Sequence, residues 1–376
     1  MFNLKKVDWK LVLGILNGIF LLYLVLADDK ERRHFEELAL GTENTATPGL
    51  VEGLAVHCHD LVDADECLTN YERTGRPRPV LLWLGNSQLH AINQFKPGEE
   101  TAAPELHRRF QRHGDYFLTF SQPNASLQEH YLLLAYLLSR LPIETLVLPV
   151  VFDDMREDGI RDSLIGAFRD QTTIVFLNNS TIGQIMIANH DGQIDFSNDM
   201  AALEDTVQER SEKVLNSILE EVWSIWAKRP TLRGETFNWM YQFRNWVLGI
   251  NPSSTRKMIP GRYAKNRDAF VAILDLAAVK KVKVLVYIVP LRNDVKVPYD
   301  TQEYSIFKSE IEQLSKNSSA HFVDFESLVP GQLWGSKSAT TLGGEQELDF
   351  MHFQAGGHHL LAEALYQELS MLRSSP

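Results

Sequence analysis

The chain has 376 residues, 44% of them hydrophobic, enough to fill the core of one large α/β domain or two smaller ones. A net charge of −12, with no basic face of the kind that neutralises phosphates, argues against nucleic acid as a partner. No fixed-period repeat or low-complexity tract interrupts it, which sets aside repeat architectures and disordered linkers.

In chain order the first feature is an uncharged apolar run, residues 11–27, preceded by Lys5, Lys6 and Lys10. A helix needs about 20 residues to cross a hydrocarbon core of about 30 Å, a length the run reaches with Trp9 and its flanks. Because it is apolar almost all round, it reads as a transmembrane helix rather than a buried core helix. Val25 and Ala27 fit a signal-peptidase pattern, but the apolar run enters that site without a polar break, which favours an uncleaved anchor. The preceding lysines put residues 1–10 in the cytoplasm, although Lys30, Arg32 and Arg33 weaken the asymmetry. The expected location is therefore the cell membrane, single-pass, with the body extracytoplasmic, either periplasmic or extracellular.

Residues 28–78 read as a juxtamembrane segment. It holds the only two cysteines, Cys58 and Cys67, in "HCHDLVDADEC". In an exported protein a close pair is most simply a disulfide closing a small loop. The alternative, a metal site using His57, His59, Asp60, Asp63 and Asp65, matches no defensible zinc spacing, so neither a metal nor a cofactor is expected.

From residue 79 to the end, short β-rich runs alternate with amphipathic patterns. Strands are expected at 79–85, 115–120, 144–152, 282–290 and 320–325, and helices at 126–141, 266–281 and 301–316. Strands apolar on both faces, separated by helices, predict a three-layer, flavodoxin-like α/β domain whose parallel sheet is covered on both sides. A largely helical insertion, residues 155–265, breaks the alternation and is expected to cap the sheet. It contains a strand-like "TTIVFL" (172–177), a long amphipathic pattern and an aromatic-rich stretch around Trp239 and Trp246.

The first core strand runs into Gly85, Asn86 and Ser87. Ligands of open parallel sheets bind at the carboxyl ends of the strands, so a serine in this turn stands at the edge of such a site. Gly85 would let the backbone turn tightly, and a helix starting near Ser87 would aim backbone N–H groups at a developing oxyanion. Asn86 or Ser87 capping that helix is the alternative. Near the other end, "ELDFMHFQAGGHHLL" places Asp349 and His352 three apart, in a loop or turn before a last helix from about His358. That spacing lets an aspartate hold one imidazole nitrogen and leave the other free for a serine.

The conjunction of a Gly-x-Ser turn after the first strand with Asp-x-x-His before the last helix resembles the SGNH, or GDSL-type, hydrolase superfamily. With the anchor and the exported body, it looks most like the membrane-anchored acyl-transfer branch that includes the D-alanyl transfer protein and the alginate O-acetylation proteins. The resemblance implies Ser87 as nucleophile, His352 as base and Asp349 as its orienter. It also implies an O-acyltransferase or acylesterase acting on a cell-envelope or secreted polysaccharide, beside a membrane-bound O-acyltransferase. A lipid or small-ester hydrolase, or a non-catalytic glycan-binding module, are the alternatives. The chain departs from the superfamily where Gly-Asn-Ser stands for Gly-Asp-Ser, and where "PVVFDDMREDG" replaces the Gly-x-Asn-Asp block. Asn124, in the turn after the second strand, is a candidate oxyanion donor or a helix cap. Arg156 and Arg292, at two further strand ends, are candidates for an acidic group of the substrate or for structural ion pairs.

Overall fold

The computed structural model describes residues 43–59, 61–74, 79–190, 255–337 and 346–374. The expected anchor and the aromatic-rich stretch of the insertion lie outside them. Among the described residues no helix is long and apolar enough to cross a membrane.

The five expected core strands form at Val80–Gly85 (β4), Tyr116–Ser121 (β6), Ile143–Val150 (β7), Lys283–Ile288 (β8) and His321–Asp324 (β9), after three short strands and with a short Ala91–Asn93 (β5) that the sequence did not suggest. They pair in parallel in the spatial order β6-β4-β7-β8-β9, the flavodoxin-like arrangement in which the order reverses at the first strand. Every residue of β4 and β6 is buried, which is why both read as unbroken apolar runs rather than as alternation. The helix Ala102–Gln111 (α2) packs with the last helix, Ala355–Ser374 (α8), against one face of the sheet. Leu127–Leu137 (α3) and Pro260–Val279 (α6) pack together on the other, and Thr301–Asn317 (α7) lies along β9. Deep in the sheet, the Trp83 indole N–H donates to the Tyr287 hydroxyl at 3.1 Å, satisfying both polar tips of two large buried rings.

Three differences from the sequence reading have physical causes. The segment before residue 79 is part of the domain: Gly49–Val51 (β2) and Leu54–Cys58 (β3) extend the sheet to seven strands, with β3 parallel to β6, and Leu61–Arg73 (α1) packs on β3. The strand-like 172–177 is helical, Gln171–Leu177 (α4), because Asp170 caps it. Its Oδ2 accepts from the Thr173 N–H at 2.9 Å and hydroxyl at 2.7 Å, and contact with α3 overrides the β-branched propensity. Within the expected insertion, α4 and Thr181–His190 (α5) pack against α3 and α6, while α6 itself begins at Pro260 rather than after residue 265.

Cys58 and Cys67 are bonded, with Cα atoms 6.3 Å apart, joining the end of β3 to α1. Closing a loop with a sequence separation of 9 restricts the unfolded chain and stabilises the fold by about 2.5 kcal/mol. Replacing both cysteines with alanine is expected to lower the urea-unfolding free energy by about that amount. An unchanged midpoint would show that the bond constrains nothing.

Candidate active site

β4 ends at the point where the strand order reverses, and the chain there makes one 3-10 turn, Ser87–Leu89, instead of the longer helix the sequence suggests. It then enters a short strand, Ala91–Asn93 (β5), which pairs antiparallel with Asn44–Ala46 (β1). Asp349 and His352 lie on a strand, Glu347–Phe353 (β11), paired with Trp334–Lys337 (β10), not in a loop. The last helix starts at Ala355 rather than at about His358, so Gly356 and Gly357 lie in the first turn of α8.

These elements bring the three expected residues into one line. Ser87 Oγ lies 2.9 Å from His352 Nε2, and His352 Nδ1 lies 3.0 Å from Asp349 Oδ2. A carboxylate only accepts, so Nδ1 carries the imidazole proton and the Ser87 hydroxyl donates to Nε2. Burial alone would raise the Asp349 carboxyl. The His352 imidazole and the N–H groups of Met351 and His352 outweigh that and hold it well below the usual carboxylate range. The turn is fastened from behind. The Gln88 side-chain amide donates to Met351 O at 2.8 Å and Pro290 O at 3.0 Å, tying the serine's turn to β11 and to the end of β8.

Asn86 and Gly85 serve the turn. Asn86 Oδ1 accepts from Gln88 N and its Nδ2 donates to Asp154 Oδ2, both at 3.1 Å, so it caps the turn and anchors it to the end of β7. Burial pushes the Asp154 carboxyl up, Asp153 and Glu157 push it further, and the Asn86 bond only partly offsets them. Gly85 is needed for space, not for an unusual backbone angle: a Cβ there would overlap the Leu89 side chain, folded back against the strand. The Ser87 N–H has no acceptor among the described residues, which leaves it as an oxyanion donor at the nucleophile itself.

The remaining candidates stand elsewhere or are already engaged. Asn124 is exposed at a turn with φ of 50°, and the cap of α3 is Ser126, whose Oγ accepts from Glu129 N at 3.1 Å. Arg292 is buried and structural: it pairs with Asp294 at 2.6 Å and donates to Gly335 O at 2.7 Å, bracing the strand beside Asp349. Arg156 donates to Lys257 O at 2.8 Å and pairs with Asp153, which Arg256 also engages. The pairs with Asp294 and Asp153, two and three residues away, were open from the sequence, whereas the Gly335 and Lys257 carbonyls that complete them come from distant segments. Asn44, Gln88 and Asn93 were not legible as part of the site, because each reaches it through a contact that only the fold creates.

No family model matches the sequence, and no curated protein does. Among solved structures the chain is similar to a GDSL-like lipase from Bacteroides thetaiotaomicron, with 10% identity and a TM-score of 0.35, over 81% of this chain and 98% of that one. It is also similar to a catalytic mutant of an acetylxylan esterase from Geobacillus stearothermophilus, with 10% identity and a TM-score of 0.33, over 77% of this chain and 93% of that one. At such low scores neither likeness carries weight, and the functional reading rests on the side-chain geometry.

Proposed function

We propose that this chain is a membrane-anchored serine acyl-transfer enzyme of SGNH type, an O-acyltransferase or acylesterase acting on a cell-envelope or secreted polysaccharide. The observation that carries the serine chemistry is the unbroken relay from Ser87 through His352 to Asp349, at 2.9 and 3.0 Å. Ser87 Oγ attacks the ester carbonyl as its proton passes to His352 Nε2, and the tetrahedral oxyanion lies beside the Ser87 N–H. The imidazolium then protonates the departing alkoxide, leaving the acyl group on Ser87. A water or a sugar hydroxyl, deprotonated by the same nitrogen, attacks the acyl-enzyme and regenerates the serine. Water gives hydrolysis and a sugar gives transfer.

The Cys58–Cys67 bond fits an oxidising compartment outside the cytoplasm, and residues 11–27 would hold the body at the bilayer. A membrane-bound O-acyltransferase delivering acyl groups at that surface would then meet its acceptor at high effective concentration.

A fluorophosphonate probe should label the native chain in the membrane fraction, and the Ser87→Ala variant should lose all labelling while keeping its thermal midpoint. Comparing release of acetate from an O-acetylated glycan with cleavage of a lipid ester assigns the substrate class. A native chain that the probe does not touch would remove the enzyme reading in favour of a glycan-binding module.

A further inference from the structure

We propose that Asn44 and Asn93 are positioning residues, a pair of carboxamides that lock the Asp349 carboxylate, and through it the His352 imidazole, in the orientation the Ser87 relay uses. This rests on the serine chemistry proposed above. The two side chains come from facing strands of one small ribbon, since Asn44 on β1 and Asn93 on β5 are direct register partners. Both Nδ2 groups donate to the same atom, Asp349 Oδ2, at 3.0 and 3.3 Å, and that atom also accepts from His352 Nδ1 at 3.0 Å. The other oxygen, Oδ1, takes the N–H groups of Met351 and His352 at 2.8 and 3.1 Å. A carboxylate offers about four lone-pair sites. With two amides, one imidazole and two backbone groups around it, Asp349 has no freedom to rotate without breaking a bond.

The clamp is itself held in place. Asn93 also donates to Ser336 O at 2.8 Å, and a Cβ on Gly335 would overlap its Oδ1, so the glycine preserves the space the amide occupies. β5 follows the serine's 3-10 turn after one residue, so a single short segment sets both ends of the relay. β1 is the first described strand of the chain, so the segment leading from the proposed anchor supplies an atom of the site's support.

Amide donors on Oδ2 compete with His352 for the same negative charge. They fix the orientation of the carboxylate and, through it, the aim of the imidazole. Removing one therefore loosens that aim and slows the reaction without changing how substrate binds. The other titratable or charged groups facing this pair are Arg292, with Nη1 3.5 Å from the Asp349 carbonyl oxygen, and the buried His90 and His358, whose imidazoles burial keeps neutral.

The test uses the full chain and a p-nitrophenyl ester, with Asn44→Ala made alone and on an Asp349→Ala background. The expected result is a loss of about tenfold in kcat with KM unchanged, and no further loss on the Asp349→Ala background. Losses that add across the two substitutions, or a change that falls on KM instead of kcat, would overturn the proposal and leave Asn44 a structural residue. If alanine unfolds the protein, Asn44→Leu fills nearly the same volume without a donor and must show the same loss, again with nothing added on the Asp349→Ala background. Losses that add would again overturn it. Should the parent fail to react with the fluorophosphonate probe, the serine reading falls by itself. The low-field NMR signal of the His352 Nδ1 proton, held on Asp349 Oδ2, then still decides the clamp: it must weaken in Asn44→Ala, and an unchanged signal would overturn it.

Discussion

Replacing Asp349 with asparagine is expected to lower kcat by about 10⁴-fold, because the imidazole turns to the wrong tautomer. The new side chain must put its NH₂ where one of the two carboxylate oxygens was. At Oδ1 it would face the Met351 and His352 N–H groups, which the backbone of β11 holds still. At Oδ2 it faces Asn44, Asn93 and His352 Nδ1, all of which are able to reorient: an amide flips and an imidazole moves its proton. The second arrangement costs less, so Nδ1 becomes an acceptor and Nε2 carries the proton. Nε2–H then points at Ser87 Oγ and cannot take the proton that the attack releases. The Asn93 flip also gives up its donation to Ser336 O, so stability falls by about 1–3 kcal/mol as well. Steady-state kinetics on a p-nitrophenyl ester, with urea unfolding in parallel, checks both parts. A variant that keeps more than about a tenth of the parent kcat would mean that Asp349 does not orient the base.

The buried parallel sheet was legible because its strands are short, unbroken apolar runs and the helices between them carry a clear period, as at Tyr116–Ser121 and Thr301–Asn317. β1, β2 and β5 were not, because a strand of three residues has too little pattern to separate it from a turn. Ser87, Asp349 and His352 stood out because two ends of the chain carried complementary halves of one relay. The local structures around them were read less well. Leu89 folding onto Gly85 ends the helix after one turn, and pairing with β10 draws "ELDFMHF" into a strand. Arg292 shows the limit most plainly. The sequence leaves an acidic ligand and an ion pair with Asp294 both open, and the fold decides for the pair and adds the Gly335 carbonyl, which no local pattern announces.

Acid should unfold this protein well above the pH at which most carboxylates titrate, because four imidazoles are buried neutral. Burial lowers His57 and His130 to about 3 and His358 to about 4, and it drives His90 well below its ordinary value too. The hydrogen bonds explain why none can accept a second proton cheaply. His57 Nε2 and His90 Nδ1 both bond the Ser121 hydroxyl, at 2.6 and 2.8 Å, and that hydroxyl has a single proton to share between them. His57 Nδ1 and His130 Nε2 are buried with no acceptor in reach among the described residues. In His358, Nε2 donates to Ala91 O while Nδ1 accepts from Ala102 N, so a proton on Nδ1 would meet another donor. Below about pH 6.5 the unfolded chain binds protons that the folded chain refuses, so stability falls as pH falls, down to the folded values near 3 to 4. At pH 5 His57, His130 and His358 each cost about 2 kcal/mol, about 6 together, and His90 adds to this in the same direction, against a typical total of about 5–15 kcal/mol. Asp154 works in the opposite direction, since its raised carboxyl holds a proton in the folded state and gains stability as pH falls, but it is one group against four. Urea unfolding at pH 7, 6 and 5 is expected to show the free energy dropping by more than half across that range. Because His130 lies on α3, away from the relay, His130→Gln should flatten the slope by about 1.4 kcal/mol per pH unit at its steepest without touching the kinetic profile. A free energy that stays level from pH 7 to 5 would mean that these imidazoles open to water and protonate in place.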